Sequence, residues 1–446
     1  MNKKMKYFFV LVVVLFLSIS VVNASDNTTN DITDHTLYKT TPEVEKVVTS
    51  TQEPIQKKDY NINTTLKEKE INKISTTQNT KTTTGTDISD YTTLHNILTS
   101  DSSTDVTINI KSDITLGGST TVKGAIKTLT INGNHYTING NQQYQFLNIP
   151  SGTRVNINNI TITNCKEVYG GAIYNSGNLT ITNSSLTDNN AINGGAIHNY
   201  NHANMTLNNN TLTHNTATRG GAIYNNRYAN MTLNQNTLQN NNANYGGAIT
   251  NFNNATITLN NNIITNNNAS YGGAIHNYNN ATITLNNNTL NYNNADNGGA
   301  ITNYNDATMT LNNNTLNYNN ATTGGAIYNY NNAYMSLNQN TLNYNNADNG
   351  GAIINYNNAT MTLNQNTLQN NNANYGGVIT NNQYTTMTLN QNTLQNNNAN
   401  YGGAIYNSNY ANMNLTDNNI TKNTATYGGA IYNYNNAYMS DRKSVV

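Results

Sequence analysis

The sequence predicts an all-β solenoid in which a coil of about 26 residues is stacked on itself. Three observations carry this expectation. Gly-Gly-Ala-Ile, then one variable residue, then Asn stands at Gly170 to Asn175 and returns at Gly194, Gly220, Gly246, Gly272, Gly298, Gly324, Gly350, Gly376, Gly402 and Gly428. The copies are 26 residues apart except for a first interval of 24, and the ninth reads Gly-Gly-Val-Ile. Between them, apolar residues recur two apart in short runs, which is the period of a strand, and Asn-rich stretches of the kind that favour turns separate the runs.

A solenoid lengthens by adding coils, so 446 residues do not imply several globular domains. Only 9% of residues are charged, the formal net charge is zero and Trp is absent. No basic field is available to recruit nucleic acid, and none is expected as a partner. The one cysteine, Cys165, excludes an intrachain disulfide framework, so stability must come from stacking.

Residues 1–24 have a basic start (Lys3, Lys4, Lys6), an apolar run from Tyr7 to Leu17 and small residues around Val22-Asn23-Ala24. This is the layout of a secretory signal peptide, with an apolar run short of the roughly 20 residues that span a bilayer. Residues 25–86, with Pro42 and Pro54, show neither helical nor strand period and read as a disordered Thr/Asn/Lys-rich spacer. Residues 87–165 read as an N-terminal cap with the first, irregular coils. Tyr91, Leu94, Ile97 and Leu98 share one helical face, and alternating runs follow at Val106-Ile108-Ile110, Leu129-Ile131, Val155-Ile157 and Ile160-Ile162.

Residues 166–440 are the repeat. In the copy from Gly272 to Asn297, three strands are expected at Gly273–His276, Ala281–Leu285 and Thr289–Asn291. Their alternation turns Ile275, Ile283, Leu285 and Leu290 inward, with Ala295 at the last corner. Most other copies carry Met at the second-strand position and keep Leu two residues later, as in Met309 and Leu311. The 24-residue copy lacks two residues between Asn175 and Leu179, so its register is kept by a shorter turn. A single coil buries too little apolar surface to offset its ordering entropy, and contacts between coils must supply the rest.

The Asn after the Ile strand recurs in every copy: Asn175, Asn199, Asn225, Asn251, Asn277, Asn303, Asn329, Asn355, Asn381, Asn407 and Asn433. Stacked at the strand spacing of about 4.8 Å, these amides form a structural ladder. The paired glycines suit a corner that needs positive φ or close backbone approach. Cys165 sits where later copies have Asn and reads as a small buried residue.

The phrase Leu212-x-x-Asn215-x-Ala217-x-x-Gly220-Gly221-Ala222-Ile223 resembles the repeat of the polymorphic outer-membrane protein family, whose motifs are GGAI and FxxN, with Leu or Ile here in place of Phe. The Asn- and Thr-rich chain also resembles the adhesin-like surface proteins of methanogenic archaea. Both resemblances imply a right-handed, pectin-lyase-like parallel β-helix displayed on a cell surface. Residues 441–446 break the repeat where Leu-Asn should follow Met439-Ser440, and they read as a non-native truncation scar, a translated sequencing adapter.

Polysaccharide lyases and hydrolases share this architecture, so an enzyme of that type is the alternative function. It would need converging carboxylates. In the repeats only Asp296 and Asp348 hold the same place two coils apart, with Thr322 between, and they read as turn residues. His198, His202, His214 and His276 read as surface histidines; no metal or cofactor is expected, and no catalytic residue is assigned.

An aromatic follows the ladder Asn directly at Tyr200, Phe252, Tyr278, Tyr304, Tyr330, Tyr356 and Tyr434, and three residues after it at Tyr228, Tyr384 and Tyr410. These ten are the candidate ligand-contact stripe, since aromatics with a polar tip suit sugars and protein contacts. The expected function is a secreted or cell-surface adhesin-like protein that attaches to host or neighbouring-cell glycans or proteins, or to matrix. A passive cell-wall or sheath component is a further alternative. Membrane attachment is expected only through a missing C-terminal anchor or an uncleaved signal segment.

Overall fold

A computed structural model of the chain describes residues 85–100 and 102–446. The signal peptide read at 1–24, and the spacer read at 25–86 apart from its last two residues, lie outside them. Strand β1 (Thr86–Ile88) already belongs to the solenoid: it pairs in parallel with β2 (Asp105–Ile110), and Ile88 is fully buried. Helix α1 (Tyr91–Ser100) follows, with Asp90 as its N-cap, where Oδ1 accepts the Thr93 amide at 2.9 Å. Leu94 and Leu98 bury one face of α1 in the core, and Tyr91 and Ile97 pack partly against it.

From there the chain winds as a parallel β-helix. Among the described residues every strand pair is parallel, and strands pair with their equivalents in adjacent coils. The first sheet has 15 strands, from Thr86–Ile88 to Tyr438–Arg442, and a second has 12, from Leu147–Ile149 to Ile431–Tyr434. The third has eight strands, ends at Thr289–Asn291, and resumes as three strands from Thr367–Gln369.

In the reference copy the strands are Ile275–Tyr278, Thr282–Asn286 and Thr289–Asn291. The first therefore begins two residues later than expected. Gly272 (φ +63) and Gly273 form a tight corner before it, and backbone in the left-handed region cannot enter the pleat. Two positions also make a short fourth strand at the corner, Asn294–Asn297 with Asn320–Thr323 and Asn398–Tyr401 with Thr424–Tyr427.

Ile275, Ile283, Leu285 and Leu290 are fully buried and Ala295 nearly so, as the alternation requires, and Ala274 and Ala281 fill two more core columns. Asn175 pairs with Asn199 and Leu179 with Met205, which places the two-residue deletion of the short copy in the turn between them. At the last coil, Asp441 and Arg442 pair with Leu415 and Thr416, so a carboxylate occupies a core Leu column there.

Candidate functional site

The ladder Asn stands two residues after the Ile that begins its strand, as Asn277 does in Ile275–Tyr278. Its neighbours alternate: Ile points to the core, the variable residue away from it, and Asn back toward it. In the structure the eleven amides form one unbroken column, each Nδ2 donating to the Oδ1 of the next coil at 2.7–3.0 Å. Those from Asn175 to Asn407 are fully buried. Nδ2 of Asn277 also donates to the carbonyls of Ala281 in its own coil and Thr308 in the next, so the buried amide bonds to backbone as well as to the next side chain.

Two further buried ladders run beside this one, and the sequence reading missed both. One passes through Asn189, Asn215 and Asn241 to Asn423, the other through Asn210, Asn236 and Asn262 to Asn418. Asn288 is typical: its Nδ2 donates to the Leu259 carbonyl and to Oδ1 of Asn314, which also accepts the backbone N–H of Asn288. Their signal was present as an Asn at fixed positions of every full copy, but it lay inside stretches read as turns.

Cys165 heads the first of these ladders, and its backbone N–H donates to Oδ1 of Asn189. It is buried, and that burial pushes the thiol up to about 12, so it is not a nucleophile at neutral pH.

The ten-residue aromatic stripe does not exist as one feature. Phe252, Tyr278, Tyr304, Tyr330 and Tyr356 form a single stack with centroid separations of 4.9–5.6 Å. It is partly sunk into the surface, and Tyr278 is only 8% exposed. Tyr228, Tyr384 and Tyr410 belong to another column, because a residue three after the ladder Asn sits at the tip of the turn with φ near +59°. Tyr228 stacks on His202 and Tyr384 on Tyr410. Tyr200 lies beside Tyr174 with the Arg227 guanidinium over its ring, and Tyr434 packs near Tyr432.

The histidine reading is corrected for two of four. His202 and His214 are exposed, whereas His198 and His276 are 2% and 5% exposed. Both occupy the variable position, which faces away from the core but is roofed by aromatics from neighbouring positions. Tyr169, Tyr174, Tyr200 and Tyr224 surround His198 at 4.9–5.6 Å, and neither of its ring nitrogens has a hydrogen-bond partner. Burial lowers both imidazoles from the usual 6.5 to about 3, with Arg219 adding to the effect at His276, so both are neutral at physiological pH. Tyr224 and Thr250 separate the two along their column, which prevents them from sharing an ion.

A second aromatic array, absent from the sequence reading, stands on the third side. Tyr292, Tyr318 and Tyr344 stack with centroids 5.0 and 4.9 Å apart and ring planes within 5°. They are 55%, 45% and 49% exposed. Its signal was the phrase Leu-Asn-Tyr-Asn-Asn in three successive copies. Asp296 and Asp348 lie nearby, exposed and in one column; Asp348 is at a bend as expected, whereas Asp296 lies in the short corner strand Asn294–Asn297 rather than in a turn. The N-terminal coils carry a cleft of about 620 Å³ lined by Gln142, Gln143, Tyr144, Lys166, Glu167 and Ile192 among others. Among the described residues no three His, Cys, Asp or Glu side chains gather as a metal site, and no helix is long and apolar enough to cross a membrane.

The geometry defines the class: a parallel β-helix repeat protein with buried asparagine ladders and stacked tyrosines on its surface. Comparison of the chain with protein-family models, with curated proteins and with solved structures finds no match to any of the three.

Proposed function

We propose that this protein is secreted or displayed at the cell surface as an adhesin-like β-helix that attaches to glycans or proteins of host or neighbouring cells. The observation that carries the reading is the repeated presentation of exposed aromatic and amide groups in register, once per coil, along one solenoid. Tyr292, Tyr318 and Tyr344 are half exposed, as are Tyr384 and Tyr410, and Asn columns accompany them. Many weak, identical contacts spaced along one scaffold give avidity that no single contact has. The resemblance to polymorphic outer-membrane protein repeats and to archaeal adhesin-like proteins supports the same reading.

The test is attachment of beads coated with the purified chain to cells and to a glycan array. The expected result is retention that falls at least tenfold when Tyr292, Tyr318, Tyr344, Tyr384 and Tyr410 are all replaced by Asn. Release of unsaturated or shortened oligosaccharides from the array would overturn the reading in favour of a polysaccharide-cleaving enzyme. Absence of any retention would favour a passive wall component.

A further inference from the structure

The Tyr292–Tyr318–Tyr344 stack coincides with the one interruption of the third sheet. Between Thr289–Asn291 and Thr367–Gln369 that sheet survives only as isolated bridges, Thr289 to Thr315, Thr315 to Thr341 and Thr341 to Thr367. In the same span the backbone N–H groups of Asn317, Asn343 and Gln369 are taken by Oδ1 of Asn291, Asn317 and Asn343 from the preceding coil, each at 2.8 Å. The tyrosines themselves adopt φ of +57° to +58°, where a bulky side chain costs about 1–2 kcal/mol. Other coils place Asn240, Asn266, Asn370 or Asn396 at this position with the same backbone and no such ring. Stacking returns roughly what the backbone costs. The exposed half of each ring is left without a role in the fold.

What the rings present decides the partner. Their faces cover one another, so the side that meets solvent is a row of edges and phenol hydroxyls, one per coil. Two residues further round the coil an exposed Asn ladder runs parallel to it, Nδ2 to Oδ1 at 2.9–3.1 Å from Asn242 to Asn398. The segments Asn291–Asn294, Asn317–Asn320 and Asn343–Asn346 carry no charge, and the chain is neutral overall. Asp296 and Asp348 lie beyond the ladder, at the next exposed position. A rigid partner with another period would slip out of register within a few coils, whereas another copy of this chain has the same rise throughout.

We infer that this face pairs with the same face of a second copy. The pair is antiparallel and isologous, with its two-fold axis at Tyr318, so that Tyr292 of one chain meets the partner's Tyr344. With three rings the axis falls on the middle one, and the two-fold symmetry closes the pair. Each half-exposed tyrosine still offers about 100 Å², so six rings bury about 600 Å², below the 1,200–2,000 Å² of a stable complex. The pair is therefore weak in solution and gains strength where many copies stand side by side or on apposed surfaces. Pairing covers the same three rings that would meet a glycan there, so it competes with glycan contact at Tyr292, Tyr318 and Tyr344.

Sedimentation velocity of the purified full chain over a wide concentration range tests this. The wild type is expected to shift from monomer toward dimer and no further. The Tyr292→Asn/Tyr318→Asn/Tyr344→Asn variant should lose the dimer while keeping its melting curve, because Asn is what neighbouring coils carry in this backbone conformation. Cys165 is buried, so Tyr318→Cys supplies the one accessible thiol; mild oxidation should cross-link it to its own equivalent several-fold more than Tyr384→Cys. A wild type that stays monomeric at every soluble concentration, association that survives in the triple variant, growth beyond dimer, or equal cross-linking at both cysteines would each overturn the proposal. Unchanged pairing by the triple variant together with lost glycan retention would also overturn it and assign the column to glycans.

Discussion

At the scale of the residue, the buried polar groups divide into two kinds. The ladder asparagines lie in the interior with each side-chain nitrogen donating and each side-chain oxygen accepting, which is the condition under which a buried amide is not a liability. His198 is the opposite case, an imidazole buried among rings with both nitrogens unpaired. Its folded-state pKa of about 3 lies below the unfolded 6.5, as does that of His276, so the folded state binds fewer protons between these values. Stability is therefore fully present above about pH 6.5 and is lost as pH falls toward 3. Replacing both histidines by Thr, the residue found in the same column at Thr250 and Thr302, should flatten the fall of the melting temperature between pH 7 and pH 4. Parallel melting curves for wild type and double variant would show that the histidines do not titrate with unfolding.

At the scale of the element, the Gly-Gly corner controls how closely coils approach. The first glycine of each pair has φ of +60° to +69°. The second has no special φ, but a Cβ on Gly273 would fall well inside contact distance of the Gly299 carbonyl oxygen in the next coil. Backbone cannot yield there without opening the stack, so Gly273→Ala should cost about 2 kcal/mol or more in urea unfolding. Gly429 occupies the same place in the last coil, and a Cβ there meets nothing within 4 Å. Gly429→Ala is expected to unfold within about 0.5 kcal/mol of the wild type, and equal effects at the two sites would refute close packing as the reason for the second glycine.

At the scale of the whole molecule, stability is distributed as coil terms and coil–coil terms, and one copy can be removed without disturbing the columns. Deleting residues 298–323 brings Asn297 to Gly324 and restores every ladder, core column and corner one coil shorter. Far-ultraviolet circular dichroism of that variant should keep the β signature and a cooperative melt, whereas deleting residues 298–310 breaks the register and should abolish it. A folded half-coil deletion would mean that the coils are not the unit of stability.

The sequence by itself determined the 26-residue period, the inward columns of Ile275, Ile283, Leu285 and Leu290, and the first amide ladder. Each of these follows from alternation within one strand combined with repetition. The N-terminal helix and the placement of the two-residue deletion were legible for the same reason. Only the tertiary structure decided that Asn288 and Asn293 point inward as ladders, since a turn residue's direction depends on local φ rather than on strand period. It likewise decided that Tyr228 and Phe252 belong to different columns, and that an outward-facing His198 is buried, because the rings that roof it come from other turns and adjacent coils. Repetition fixes what stacks above and below a residue, while neighbours around the coil depend on how each corner bends.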